Sequence, residues 1–227
     1  MVFLLTNDDG IDAPGLAALA DAVAGMGPNV WVAPCGPQSG CSHRVTTGEP
    51  LRTVLRAHGQ WAIEGTPADC VRLGLKRLAP ELTWVLSGIN HGGNLGADVH
   101  HSGTVAAVRE AALHGFPGIA LSHYHKRDTD IDWQRAARLL RPVVQDLVGK
   151  TLTPGTFWNI NLPHLAPGAP DPEVVVCPLD RSPLPLDFRE EGGHWRYHAD
   201  YHERPRRPGS DVDVCFGGKI AVTLLSI

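Results

Sequence analysis

An apolar run, Val2-Phe3-Leu4-Leu5, leads straight into Thr6-Asn7-Asp8-Asp9-Gly10, and Asp12-Ala13-Pro14-Gly15-Leu16 follows. The apolar run reads as a buried strand. Proline in the first turn of a helix is favoured because its missing N–H would have no partner there, so the second segment reads as a helix start. The pattern is therefore a strand, a tight turn holding two adjacent carboxylates, and a helix. In an open α/β sheet that turn lies at the carboxyl end of the strand, where such sheets bind ligands. Adjacent carboxylates repel one another unless a cation or a shared proton neutralises them. Oxygen-only donors suit Mg²⁺, Mn²⁺ or Ca²⁺ better than zinc. The same residues also satisfy a simpler requirement, because aspartate commonly caps a turn before glycine.

The rest of the chain repeats the strand–helix alternation. Residues 15–26 carry Leu16, Leu19, Ala20 and Val23 at helical spacing, closed by Gly25 and Gly27. Val30-Trp31-Val32-Ala33 is a second strand. Its loop, residues 34–43, emerges at the same sheet edge as Asp8 and Asp9, with Ser39 and Ser42 as hydroxyl candidates. Short extended strands are predicted within 44–64. Gly65-Thr66-Pro67-Ala68-Asp69 then starts a helix, with Thr66 as N-cap, Pro67 at N1 and Asp69 at N3, where its carboxylate is expected to serve as a cap only.

Trp84-Val85-Leu86-Ser87 reads as the next strand, followed by a long loop rich in Gly, Asn and His that ends at Ser102-Gly103-Thr104. Glycines at 88, 92, 93 and 96 let backbone N–H groups approach a ligand closely. A hydroxyl-bearing helix N-terminus after such a loop is a good seat for phosphate. The stretch is neither GxGxxG nor GxxxxGK[ST], so a dinucleotide fold and a P-loop NTPase are not indicated. His91, His100, His101 and His114 lack the spacing of a zinc protease. Further strands are predicted at 118–122 and 157–161, with an amphipathic helix over 132–148. The alternation predicts a mainly parallel α/β sheet to about residue 162.

Beyond 162 the composition changes to Pro, Arg and Gly. A hairpin is expected around Glu190-Glu191-Gly192-Gly193, with strands at 173–177, 212–216 and 220–225. This appended β region either projects and pairs with another subunit or forms a loose surface loop. The organisation expected is one domain over 1–227, with a core at about 1–177 and 211–227 and an arm at about 178–210.

With 43% hydrophobic and 19% charged residues, the 227-residue chain is expected to form an ordered core. A net charge of −4 without a long basic run argues against a surface for nucleic-acid polymers, though not against small nucleotides. No apolar stretch approaches the roughly 18 residues of a membrane span, and no basic segment leads into an apolar signal core at the N-terminus. Five cysteines without a CxxC pair read as reduced thiols, and a cytoplasmic location is expected.

In order along the chain, Thr-Asn-Asp-Asp-Gly at 6–10, Ala-Pro-Gly at 13–15, Ala-Pro at 33–34, Gln-Ser at 38–39 and Gly-Thr-Pro-Ala-Asp-Cys at 65–70 resemble the SurE family of survival proteins. So do Ser-Gly-Ile-Asn at 87–90, Asn-Leu-Gly at 94–96, His-Ser-Gly-Thr-Val at 101–105 and Asn-Ile-Asn-Leu-Pro at 159–163. The resemblance implies a Rossmann-like α/β core with flanking helices and a projecting β-hairpin, assembled as homodimers or homotetramers. It implies a metal-dependent phosphatase acting on nucleoside 5′- and 3′-monophosphates, in some members also on polyphosphate. The family's metal ligands fall on Asp8, Asp9, Ser39 and Asn90, which would hold one divalent cation per subunit, Mg²⁺ or Mn²⁺. Its phosphate-binding segment falls on Ser102, Gly103 and Thr104, and Asp98 matches an acidic position near its active site, a secondary catalytic candidate beside Asp8 and Asp9. His43, Asp98 and His101 are the candidates for the leaving-group acid. Two other readings stand beside this one: a non-catalytic nucleotide or phosphate sensor, and a hydrolase built on a Ser39–His43 pair, for which no G-x-S-x-G elbow is present.

Overall fold

The computed structural model describes residues 1–126 and 130–227. Eleven strands are found among these residues: β1 (Phe3–Thr6), β2 (Asn29–Pro34), β3 (Thr53–Ala57), β4 (Gln60–Ile63), β5 (Trp84–His91), β6 (Gly118–His123), β7 (Thr156–Leu162), β8 (Val174–Val176), β9 (Phe188–Glu191), β10 (His194–Tyr197) and β11 (Ile220–Ser226). Five α-helices accompany them: α1 (Pro14–Ala22), α2 (Pro67–Leu73), α3 (Gly103–Leu113), α4 (Trp133–Val148) and α5 (Asp211–Phe216). Nine strands form one sheet in the order β3-β4-β2-β1-β5-β6-β7-β11-β8. The run from β4 to β7 is parallel throughout. β3 and β11 are antiparallel to their neighbours β4 and β7. Strand order reverses between β1 and β5, which makes the crevice above those two strands the ligand position of a doubly wound sheet.

Alternation along β1 sets up both faces. Phe3 and Leu5 pack into one apolar cluster with α1 and α4, whereas Leu4 points the other way into a cluster with α2 and α3. Helix α4 buries Ala136, Leu139, Leu140, Val143, Val144 and Leu147 on one stripe, and it runs through Pro142, which lies on the exposed side. Thr66 and Asp69 form the expected capping box at the start of α2.

Three expectations are corrected. First, residues 88–91 are not loop, because β5 continues to His91 with an irregular register between Ser87 and Asn90. Gly88, at φ +139°, makes this possible, since a β-carbon there would overlap the Leu121 carbonyl oxygen. Second, residues 211–216 form helix α5 and not a strand. Val212, Val214 and Phe216 alternate like a strand, but Ser210 precedes them as N-cap. The Asp211 carboxylate accepts from Gly96 N–H (2.9 Å) and Asp180 N–H (2.7 Å), and these bonds fix the first turn. Third, Asp69 does more than cap α2, because it also accepts from the N–H and hydroxyl of Thr46, both at 2.8 Å.

The expected hairpin is present. β9 and β10 are exposed at every residue, joined at Gly192 and Gly193, both at positive φ. The return of the arm is anchored by Arg204, only 4% exposed. Its guanidinium meets Asp98 at 2.9 Å and the Leu95 carbonyl at 2.9 Å, and lies 4.5 Å from the Tyr201 ring centroid.

Gly15 tests how closely α1 must approach β5. A β-carbon there would overlap the Ile89 carbonyl oxygen and come within 3.2 Å of the Trp133 ring. Gly15→Ala is expected to cost about 2 kcal/mol or more, as overpacking against backbone does. Urea unfolding of the two proteins measures it, and a difference below about 0.5 kcal/mol, the range of neutral surface changes, would contradict this packing.

Candidate functional site

The turn after β1 is closed by Asn7, not by the aspartates. Asn7 Nδ2 donates to the Gly10 carbonyl (2.8 Å), and Asn7 Oδ1 accepts from Gly10 N–H (3.1 Å). Capping therefore does not account for Asp8 and Asp9. Asp8 is 6% exposed and accepts at Oδ1 from the Thr104 hydroxyl at 2.5 Å. Asp9 is half-buried and accepts at Oδ2 from His91 N–H at 3.0 Å. The two contacts join the end of β1 to the start of α3 and to the end of β5. Burial pushes the Asp8 carboxyl up to about 6, the charge of Asp9 adds to the rise, and the Thr104 hydrogen bond opposes it.

Helix α3 begins against this carboxylate. Ser102 is its N-cap and accepts from Val105 N–H at 3.1 Å. The N–H groups of Gly103 and Thr104 precede the first intrahelical bond and point out of the helix end. Gly103 must lack a side chain, because a β-carbon would fall 2.8 Å from Asp8 Cβ and 3.0 Å from Cys41 Sγ.

The loop carrying Ser39 reaches the site through its backbone. Gln38 N–H donates to the Asp8 carbonyl at 2.7 Å, and Cys41 N–H closes a turn onto Gln38. Ser39 is exposed on that turn. Ser42 donates through Oγ to the His100 carbonyl (2.9 Å) and through N–H to the His101 carbonyl. Asn90, the residue before His91 on β5, donates through Nδ2 to the Gly92 carbonyl at 2.8 Å, which leaves Oδ1 as its acceptor. All four oxygen-bearing side chains expected as ligands thus lie on three segments, 8–9, 39 and 90, around one strand end. As a donor set, two carboxylates, an amide oxygen and a hydroxyl fit a hard divalent cation.

Asp98 is placed differently. Both its oxygens meet Arg204 Nη1 (3.0 and 2.9 Å), and Oδ2 also accepts from the Tyr201 hydroxyl at 2.6 Å. It holds the root of the arm on the short 3₁₀ turn that leads to α3. His43 is likewise engaged, with Nε2 2.7 Å from Glu110 Oε2. That contact, with His114 on the other carboxylate oxygen, outweighs burial and holds the Glu110 carboxyl below its usual range. Among the described residues, no three His, Cys, Asp or Glu side chains gather as a metal cluster, so the four histidines at 91, 100, 101 and 114 do not form one.

Sequence reasoning placed Asn159 and Asn161 on a strand and in the family-like Asn-Ile-Asn-Leu-Pro segment, and gave them no structural role. Both are buried on one face of β7 and hold Asn94 of the Gly-rich segment. Asn161 Oδ1 accepts from Asn94 N–H (2.8 Å), and both amides donate to the Asn94 carbonyl (2.9 and 3.0 Å). Two asparagines at a spacing of two inside an apolar strand were the available signal, since buried amides must find partners.

Comparison with known proteins bears on the family and the fold. A family model described as survival protein SurE matches residues 3–182. A Nostoc sp. protein provisionally named a 5′-nucleotidase is 52% identical over 227 residues, covering all of both chains. The 5′-nucleotidase SurE of Geotalea uraniireducens is 44% identical over 235 aligned positions, covering 100% of this chain and 93% of its own. The crystal structure of the SurE protein from Aquifex aeolicus superposes with a TM-score of 0.88 at 31% identity, covering 100% of this chain and 93% of the other.

The raised Asp8 carboxyl makes a prediction for metal-free protein. A carboxyl whose pKa rises from 3.8 to about 6 on folding favours the folded state below pH 4. That advantage is lost as pH climbs through 6, by about 3 kcal/mol in all. Asp8→Asn cannot ionise. In EDTA, its unfolding free energy is expected to gain on the natural chain between pH 4 and 7. Parallel pH profiles for the two proteins would contradict the assignment.

Proposed function

The chain belongs to the SurE family, and we propose that it is a divalent-metal-dependent phosphomonoesterase that hydrolyses nucleoside 5′-monophosphates to nucleoside and phosphate. One observation carries the reading: two adjacent carboxylates stand at the sheet's reversal point, and the first of them, Asp8, meets the N-terminus of α3 through the Thr104 hydroxyl. Opposite charges are thereby set side by side, carboxylates for a cation and outward N–H groups for a phosphoryl group. Nucleoside 3′-monophosphates and polyphosphate are further substrates the same chemistry admits.

In this reading Asp8 and Asp9 would hold one Mg²⁺ or Mn²⁺ together with Asn90 and Ser39; Thr104 and His91 each engage only one oxygen of the two carboxylates, and the Asn90 amide nitrogen is turned to the Gly92 carbonyl. When bound, the cation supplies Lewis-acid activation of a phosphoryl oxygen and of a water. Gly103 and Thr104 N–H groups take up charge on the transferring phosphoryl group. The Ser102 hydroxyl accepts from Val105, and its own proton is left for a phosphate oxygen. Asp98 we read as a structural partner of Arg204, outside the chemistry. With Asp98 and His43 both engaged, the exposed His101 beside Ser102 is the proton donor we favour for the leaving oxygen.

A cavity of about 730 Å³ opens from Asp9 and His91 and is walled by Pro14, Pro37, Ile131 and Trp133. Its size and apolar walls suit a nucleoside. We assign the nucleoside half of the substrate to it. Homodimers or homotetramers are the assembly we infer, supported by Phe188, Trp195 and Tyr197 standing exposed on the arm. No helix of the described residues is long and apolar enough to cross a membrane, and a cytoplasmic setting belongs to the same reading.

Phosphate release from nucleoside monophosphates, measured with EDTA, Mg²⁺ or Mn²⁺, tests the function. Metal-restored release is expected. Asp8→Asn should abolish it by about a hundredfold or more along with metal binding, and an unchanged turnover with metal bound would remove Asp8 from the site. Binding of nucleotide without release would turn the reading to a sensor. Trp133→Leu should raise KM for nucleoside monophosphates about tenfold, the equivalent of one lost stacking contact, while p-nitrophenyl phosphate is turned over as before. Equal losses on both substrates would place the nucleoside elsewhere.

A further inference from the structure

The loop from Gln38 to Thr46 meets Asp8 beside Ser39, where Gln38 N–H donates to the Asp8 carbonyl, and this part of the loop is tied mostly through backbone groups. Two buried carboxylates brace the loop from outside the site. At its far end Asp69 accepts twice from Thr46. Nearer Ser39, His43 Nε2 meets Glu110 Oε2 at 2.7 Å. Glu110 is 6% exposed, in the last turn of α3, and its other oxygen faces His114 Nε2 at 2.9 Å and Arg72 Nε at 3.5 Å. The residue between Cys41 and His43 is strained: Ser42 has φ +54°, a left-handed conformation that non-glycine residues adopt at a cost and keep only where their surroundings impose it. The His100 and His101 carbonyls bind Ser42 on one side, and the His43–Glu110 contact pulls the chain on the other.

We propose that His43 is a positioning residue: by clasping Glu110 it fixes the strained turn and sets the Ser39 loop against Asp8 and the start of α3. The proposal rests on the phosphomonoesterase reading for its catalytic consequence, but the position of the loop is measurable without turnover. Cys41 supplies the reporter. It is half-buried within the same loop, with its sulfur beside Gly103, whereas Cys35 is exposed and Cys70 and Cys215 are buried elsewhere.

The experiment labels the full chain with N-ethylmaleimide and follows each cysteine by peptide mass spectrometry. His43→Ala should raise the Cys41 rate about tenfold towards that of Cys35, while Cys70 and Cys215 stay protected as core sites do. His43→Gln, whose amide nitrogen reaches as far as Nε2, should restore slow labelling. In the active enzyme, His43→Ala should lower kcat/KM about tenfold and raise the Mn²⁺ concentration for half-maximal rate, and His43→Gln should recover both. Should His43→Ala also expose Cys70 and Cys215, His43→Asn, polar but too short to reach Glu110, carries the labelling test. Unchanged Cys41 labelling overturns the proposal, as does faster labelling with kcat/KM unmoved. Absence of phosphate release from the natural chain under any metal instead removes the proposed function, and labelling alone then decides whether His43 holds the loop.

Discussion

Asp8 buries a carboxylate directly beside a second one, and segments far apart in sequence converge to make that tolerable. A buried anion destabilises the fold unless hydrogen bonds or an opposite charge meet it. Here Thr104 supplies the hydrogen bond, the positive end of α3 faces the same oxygens, and Asn7 takes over the turn so that neither aspartate is consumed by it. The arrangement works only if α3 begins against β1, and Gly103 is what permits that approach. The sheet's reversal between β1 and β5 opens the crevice, and the carboxylates give the crevice its charge.

Around this centre the polar residues form supports that are themselves buried. Asn94 is gripped by two asparagines of β7, Thr46 by Asp69, His43 by Glu110, and Gly96 by Asp211. Each ties a loop near the site to a strand or helix. Loops held by satisfied buried groups keep their geometry, whereas the same groups left unpaired would cost free energy. The rigidity that a phosphoryl-transfer site needs is thus distributed over several anchor points.

How much of this was legible depended on the range of the interaction. Thr66-Pro67-Ala68-Asp69 announced its capping box because all partners lie within four residues. Strands β1 and β2 followed from short apolar runs, and the β9–β10 hairpin from Gly192-Gly193. Asp8 and Asp9 stood out as paired charges, but nothing local says that Thr104, 96 residues away, donates to Asp8. The α5 segment misled because Val212, Val214 and Phe216 alternate, while the bonds that make it a helix come from Gly96 and Asp180. The extension of β5 through Gly88 was hidden because glycine and asparagine are poor strand formers, and only the neighbouring strands hold them there. Asp98 was a candidate on resemblance, and nothing local announces its partners Arg204 and Tyr201, more than a hundred positions downstream.

The root and the tip of the hairpin arm are under unequal constraint. At the root, Arg204 is enclosed by a carboxylate, a carbonyl and an aromatic ring, and hardly any other residue type satisfies all three. At the tip, β9 and β10 touch little besides each other. Substitution at the tip would therefore cost this chain little folding stability, whereas substitution at the root would strand a buried guanidinium or carboxylate, so the tip is left to contacts outside the subunit and the crevice from which the arm springs is undisturbed by them.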